Sequence, residues 1–320
     1  MIISKTPLRI SFAGGMTDIP AFYEKGTGAV VSATIDKYIY VCVMPKLIGK
    51  SRIAYRKYEE VESNEDITHP IIREALKLLN IQEKIEITSI ADIPAGTGLG
   101  SSSAFTVGLL NALYKYKGYD ATPSELAKQA CKIEMDILKE PIGKQDQYAT
   151  AFGGLNYIQF TSDDVILQPI HITKKELDSL NEQLFLFYLG NTEKAKNVLK
   201  EQIKQFDDNF DNLLRLTIIA KSMVAYLNKG EFHSFGVLLN EAWKIKKQMK
   251  GVTNDSIDEI YDTAINSGAT GGKVCGAGGR GFLLLYYGIQ WKKNIMISNY
   301  GLKKLDFRFE KDGSKIIYAD

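Results

Sequence analysis

The chain has 320 residues, 40 of them basic and 38 acidic, for a formal net charge of +2 at pH 7. That balance gives no electrostatic case for nucleic acid or an anionic membrane surface, and no apolar run approaches the roughly 18 residues of a membrane span. The expected partner is a small molecule and the expected location the cytoplasm. Cys42, Cys131 and Cys275, like His69, His171 and His233, are scattered without metal-ligand spacing. The cysteines read as reduced core residues, and a zinc site is not expected.

In chain order, residues 8–12, 29–35 and 38–44 are β-branched or aromatic runs punctuated by Gly14-Gly15, Gly26 and Gly28, and predict strands of one sheet. Arg9 stands inside the first run. A buried arginine needs an anion, for which Asp18, at the end of the turn Gly14-Gly15-Met16-Thr17-Asp18, or a phosphate could serve. Residues 70–79 predict a helix with Pro70 in its first turn, and 84–90 alternate as a strand.

Residues 94–104, Pro-Ala-Gly-Thr-Gly-Leu-Gly-Ser-Ser-Ser-Ala, carry the strongest signal. Gly96, Gly98 and Gly100 permit positive φ, which turns backbone N–H groups inward as an anion-binding nest. Ser101, Ser102 and Ser103 can cap a helix whose apolar residues Phe105, Leu109, Leu113 and Tyr116 follow at helical spacing, with the positive end of the helix toward the loop. This predicts a phosphate cradle. It is not a Walker A loop, because Gly-x-x-x-x-Gly-Lys-Ser/Thr is absent.

Thr122-Pro123-Ser124-Glu125 is a capping box opening a helix predicted to about residue 139. On it, Glu134 shares a face with Leu126, Ala127, Ala130, Ile137 and Leu138. A carboxylate on a buried stripe implies a cation or a strong donor, and magnesium carried by a nucleotide fits, with a serine hydroxyl from a neighbouring helix start as co-ligand. Gly143-Lys144-Gln145-Asp146-Gln147 follows as a polar loop. Residues 155–160 predict a strand, and the acidic stretch 161–164 is the expected seam between domains 1–162 and 163–320. The second half predicts helices over 212–229 and 231–250, with strands over 185–189, 282–287, 306–309 and 316–318. Gly276, Gly278 and Gly281 match G-x-G-x-x-G, yet the strand-like run behind them excludes a Rossmann turn. Strands and helices interleave without βαβ rhythm, so the fold class is α+β.

With these segments in hand, the chain resembles the GHMP kinases (galactokinase, homoserine kinase, mevalonate kinase, phosphomevalonate kinase). Residues 7–18, 94–104 and 268–281 look like that family's three motifs in order. The resemblance implies an N-terminal ribosomal-protein S5-like domain, a C-terminal ferredoxin-like domain, and ATP with Mg2+. It implies phosphates held by Gly96, Thr97, Gly98, Leu99, Gly100, Ser101, Ser102 and Ser103, with Ser102 and Glu134 on the metal. Asp146 would act on the acceptor hydroxyl as base or orienter, and Arg9 would stabilise the charge that develops there. Residues 6–12 and 34–40 resemble the family's bacterial branch acting on the anomeric hydroxyl of D-glycero-D-manno-heptose 7-phosphate, which makes a phosphorylated sugar the implied acceptor. Gly15, Thr17, Asp18 and Gly278 would contact it, with Lys37, Lys144 or Arg280 as the cation for its phosphate. Met16 stands where related heptose kinases tend to have glycine, and Arg280 interrupts the third motif's glycine run. Other sugar-1-kinases such as L-fucokinase, a mevalonate or homoserine kinase, and a non-catalytic sensor are the alternative readings.

Overall fold

The computed structural model describes residues 1–190, 201–203, 205–288 and 299–320. Its first sheet has eight strands. They are β1 (Ile2–Ala13), β2 (Gly28–Pro45), β3 (Ser51–Ala54), β4 (Tyr58–Val61), β5 (Ile85–Ala91), β6 (Leu155–Phe160), β7 (Val165–Pro169) and, from the end of the chain, β12 (Lys315–Ala319). The two runs expected at 29–35 and 38–44 are one long strand. A register shift where Pro7 and Leu8 of β1 face Tyr38 and Ile35 leaves Asp36 and Lys37 as a bulge, which is why the apolar pattern breaks there. The first part of β2 pairs with β6 and its last part with β5, so one bent strand joins both wings of the sheet.

Helices α1 (Pro20–Tyr23), α2 (Pro70–Leu78), α3 (Ser101–Tyr116), α4 (Pro123–Cys131) and α5 (Gln145–Phe152) accompany this sheet. The expectation of an amphipathic α3 is corrected: it is buried on all sides from Ser103 to Leu113. It lies between the β1–β2 face and α2, α4 and α5. The capping box at Thr122 and Glu125 forms as expected. The helix it opens does not run on in α form to 139, because Lys132–Ile137 is a π-helical turn. The wider turn rotates the chain, so Glu134 stays buried while Ile137 is exposed.

The second sheet contains β8 (Leu184–Gly190), β9 (Ala269–Val274), β10 (Gly281–Tyr287) and β11 (Lys303–Leu305), all antiparallel in the order β11-β8-β10-β9. That is the split arrangement of a ferredoxin-like unit. Helices α6 (Lys174–Glu182), α7 (Phe210–Asn228), α8 (Phe232–Lys246) and α9 (Asp255–Asn266) belong to this half. Helix α8 stops at Lys246 rather than 250, and 306–309 is not a strand: only Phe309 makes a bridge, to Ile35, after β11 has ended. The seam expected at 161–164 is a tight turn joining β6 to β7, closed by the Thr161 N–H on the Asp164 carbonyl. A division at 162/163 would cut that hairpin. The two sheets meet where Phe12 of β1 packs edge-on against Phe235 of α8, ring centroids 5.2 Å apart.

Candidate active site

Gly96, Gly98 and Gly100 have φ of +81°, +83° and +75°, the alternation expected of a nest. Between them the buried side chains of Thr97 and Leu99 point into the protein and fasten the loop: the Thr97 hydroxyl donates to the Pro94 carbonyl, and the Leu99 carbonyl accepts the Arg9 N–H at 3.0 Å. The expected serine cap is corrected. Gly100 is itself the N-cap, Ser101, Ser102 and Ser103 form the first turn, and no side chain caps α3. First-turn N–H groups left without a side-chain acceptor are a natural anion site.

The third motif, 268–281, packs on this loop backbone to backbone. A Cβ on Gly98 would lie 2.4 Å from the Cys275 carbonyl oxygen, one on Gly276 2.6 Å from the Gly98 Cα, and one on Gly281 2.4 Å from the Thr97 carbonyl oxygen. The two glycine-rich segments are therefore glycine-rich for each other. Gly98→Ala combines an overlap with backbone with a left-handed φ, and is expected to lower stability by at least about 2 kcal/mol and, if the nest holds the ATP phosphates that the family resemblance implies, to weaken ATP binding. Urea unfolding and the ATP KM check this; a variant as stable as the parent would show that the contact yields freely.

Arg9 lies 4 % exposed in β1, and its anion is Asp146 rather than Asp18. Nε and Nη2 donate to the two carboxylate oxygens, each at 2.7 Å, while Nη1 donates to the Gly98 carbonyl at 2.7 Å. One guanidinium thus ties the carboxylate in the first turn of α5 to the nest. Asp18 is buried beside this pair. It accepts from the Gln145 N–H (3.2 Å), Gln145 Nε2 (3.0 Å) and the Met16 N–H (3.1 Å), and burial together with the Asp146 charge raises its pKa. Gly143 makes the approach possible, since a Cβ there would lie 2.0 Å from Asp18 Oδ2. Met16 holds φ +80° without being glycine.

Glu134 is 1 % exposed and accepts from Gln147 Nε2 at 2.6 Å and from the Ser102 hydroxyl at 3.3 Å. Burial pushes its pKa up to about 7. Among the described residues no basic side chain pairs with it. A buried carboxylate without a counter-ion, sharing a contact with the exposed Ser102 at the edge of the nest, suits a hard cation that brings its own phosphate ligands.

The remaining expected residues divide. Gly15 lines the site. The Thr17 hydroxyl is used internally: it donates to the Gly14 carbonyl (2.7 Å) and accepts the Ala29 N–H (2.9 Å), which makes it a brace for the turn. Gly278 packs on Val252. Lys37 bonds to its neighbour Asp36 in the bulge, Lys144 Nζ lies 4.2 Å over the Tyr23 ring beside a cavity of about 710 Å3, and Arg280 is exposed on the third motif. Among the described residues none of these three charged side chains pairs with Asp18 or Asp146; Lys144 meets Asp18 only through its backbone N–H, which donates to the Asp18 carbonyl at 3.1 Å.

Two cations that do approach are absent from the sequence expectations. Lys246, 6 % exposed, donates to the Gly276 carbonyl at 2.8 Å, and Lys273, 3 % exposed, donates to the Ser11 carbonyl at 2.6 Å. Burial lowers their pKa values to about 8 and about 7. Lys246 follows Leu239, Ala242 and Trp243 by seven, four and three residues, so it stands on a buried stripe by the same pattern that marks Glu134. Gln147, the partner of Glu134, was visible only as part of a polar loop.

Residues 70–154 match the GHMP kinases N terminal domain and residues 223–287 the GHMP kinases C terminal domain. A D-glycero-alpha-D-manno-heptose 7-phosphate kinase of Campylobacter jejuni is 31% identical over 98% of both chains. A crystal structure described as a D-glycero-D-manno-heptose 1-phosphate kinase from Bacteroides thetaiotaomicron superposes with a TM-score of 0.81 at 26% identity over the whole of both chains. An L-fucokinase/L-fucose-1-P guanylyltransferase of Bacteroides fragilis is 26% identical over 89% of this chain and 34% of that longer protein.

Proposed function

Because the chain belongs to the GHMP kinases, we propose that it transfers the γ-phosphoryl group of ATP to the anomeric hydroxyl of D-glycero-D-manno-heptose 7-phosphate, giving the 1,7-bisphosphate. The observation that carries this reading is the Arg9 fork, which holds an acceptor-side carboxylate and the phosphate nest through one side chain. The two heptose kinases cited differ in where their named substrate bears its phosphate; a heptose monophosphate is common to both.

Phosphoryl transfer asks chiefly for in-line positioning and charge neutralisation. The nest from Gly96 to Ser103 receives the ATP phosphates on N–H groups and the N-terminus of α3. Ser102 and Glu134 are the residues that would hold Mg2+. When bound, the ion would neutralise charge on the β- and γ-phosphates. Asp146 keeps lone pairs beyond those taken by Arg9, and with them it orients the anomeric hydroxyl and accepts its proton. Arg9 stabilises charge between hydroxyl and γ-phosphate from a position fixed by three hydrogen bonds. Asp18, immobilised by Gln145 and Met16, accepts from a sugar hydroxyl beside Gly15. We place the domain division between β7 and α6, where the chain leaves the first sheet.

An ATP-consumption assay against heptose 7-phosphate, heptose 1-phosphate, unphosphorylated heptose, L-fucose, galactose, mevalonate and homoserine tests the reading. The expected result is the highest kcat/KM with heptose 7-phosphate and a product carrying phosphate at both C1 and C7. The L-fucokinase match makes L-fucose the second acceptor to watch, and a higher kcat/KM with it would replace the heptose reading.

A further inference from the structure

Three hydrogen-bond donors converge where residue 15 has no side chain. A Cβ built on Gly15 would lie 3.3 Å from Lys246 Nζ and 4.0 Å from both Gln145 Nε2 and Ser11 Oγ. Lys246 spends one N–H on the Gly276 carbonyl and Gln145 Nε2 spends one on Asp18, so both retain donors. Neither Lys246 nor Lys273 forms an ion pair among the described residues; each donates instead to a backbone carbonyl. They share an apolar cup with Phe12, Leu216, Ala242 and Trp243.

Two ammonium groups buried together are expensive unless an anion joins them. Asp146 is already matched by the Arg9 fork, so it does not supply the missing negative charge. Asp18, held by neutral donors, keeps its charge and faces Lys246, so Arg9, Lys246 and Lys273 stand against two carboxylates. The local surplus is positive, buried, and adjacent to the place where the acceptor hydroxyl is oriented. The cup between the lysines has a volume of about 10 Å3, room for one water, so an anion larger than water would have to lie at its Gly15 rim.

We propose that Lys246, backed by Lys273, anchors the phosphate that the acceptor already carries, with Gln145 and Ser11 as further donors and the bare Gly15 as the opening that admits it. This rests on the reading of the acceptor as a sugar phosphate. It assigns the anchor to none of Lys37, Lys144 or Arg280. It also gives Gly15 a reason: any side chain would stand between the ammonium and its ligand.

The test compares kcat/KM for heptose 7-phosphate and unphosphorylated heptose in the parent enzyme, Lys246→Met and Gly15→Ala. A charge-assisted contact of this kind predicts that Lys246→Met reduces the preference for the phosphorylated sugar roughly 10- to 100-fold. Gly15→Ala, whose backbone is outside the left-handed region, is expected to fold normally and lose preference in the same direction with the ATP KM unchanged. It carries the test should Lys246→Met not fold. Equal losses on both sugars, or a preserved preference in either folded variant, overturns the proposal. A parent enzyme inactive on both heptoses would instead refute the proposed function. The anchor is then judged by calorimetry with inorganic phosphate on enzyme saturated with a non-hydrolysable ATP analogue, where binding must be present in the parent and at least tenfold weaker in Lys246→Met, and equal binding in both overturns it.

Discussion

Asp146→Asn is expected to reduce kcat by at least about 100-fold, because it removes the carboxylate proposed to orient the acceptor hydroxyl and take its proton. The structure adds a second consequence. Arg9 is almost fully buried, and both of its fork bonds end on Asp146. An asparagine returns one acceptor oxygen and sets an NH2 group against a guanidinium N–H, so a buried charge loses its counter-charge and faces a donor. Stability is expected to fall by about 2 to 4 kcal/mol, the lower part of the range applying because Asp146 itself retains some exposure to solvent. Steady-state kinetics and urea unfolding on the same preparation check both effects. A near-normal kcat would remove Asp146 from the chemistry, and an unchanged unfolding midpoint would mean that the Arg9 fork is replaceable by water.

Glu134→Gln is expected to raise stability above neutral pH and to lower the affinity for magnesium. Burial raises the Glu134 pKa from an ordinary 4.5 to about 7. The folded state therefore binds a proton more tightly than the unfolded chain, and stability contributed at low pH is lost as pH rises from about 4.5 through 7. At pH 8 the parent enzyme without nucleotide holds a buried anion with no counter-ion. The glutamine variant holds none, and should be more stable there by up to about 3 kcal/mol, with the two proteins converging near pH 4. The magnesium concentration needed for half-maximal rate should meanwhile rise, because a formal charge at the proposed metal site is gone. Thermal unfolding across pH and a magnesium titration separate these effects. Unchanged magnesium dependence would make Glu134 a structural residue, and a destabilised variant at pH 8 would show that its hydrogen bonds with Gln147 and Ser102 outweigh the charge.

Features coded by local chemistry were legible in the sequence. The nest depends on glycines at alternate positions and the capping box on side chains three residues apart, and both form as the residue types require. Glu134 could be singled out because a helical repeat shows which face is buried before any partner is known. Lys246 obeys the same rule on α8, and the signal was present, though its pattern is diluted by Lys244 and Lys247 on either side. The join of 29–35 with 38–44 was hidden by a bulge, which puts the charged Asp36 and Lys37 into the apolar pattern without ending the strand. The hairpin at 161–164 was hidden by its acidic, exposed turn, which composition cannot tell from a domain linker.

By itself the sequence determined what depends on neighbours along the chain: φ freedom at Gly96, Gly98 and Gly100, helix starts at Pro70 and Pro123, the alternation of β5 and the unbroken apolar run of β10. Tertiary structure alone decided the pairings between segments far apart. Arg9 meets Asp146 rather than Asp18 across 137 residues, the third motif lies on the nest, and Lys246 and Lys273 come from two elements to meet beside Gly15. The physical reason is that a buried charge prescribes only that an opposite charge or donor must be near; packing of the two sheets selects which one, and no local propensity encodes that choice.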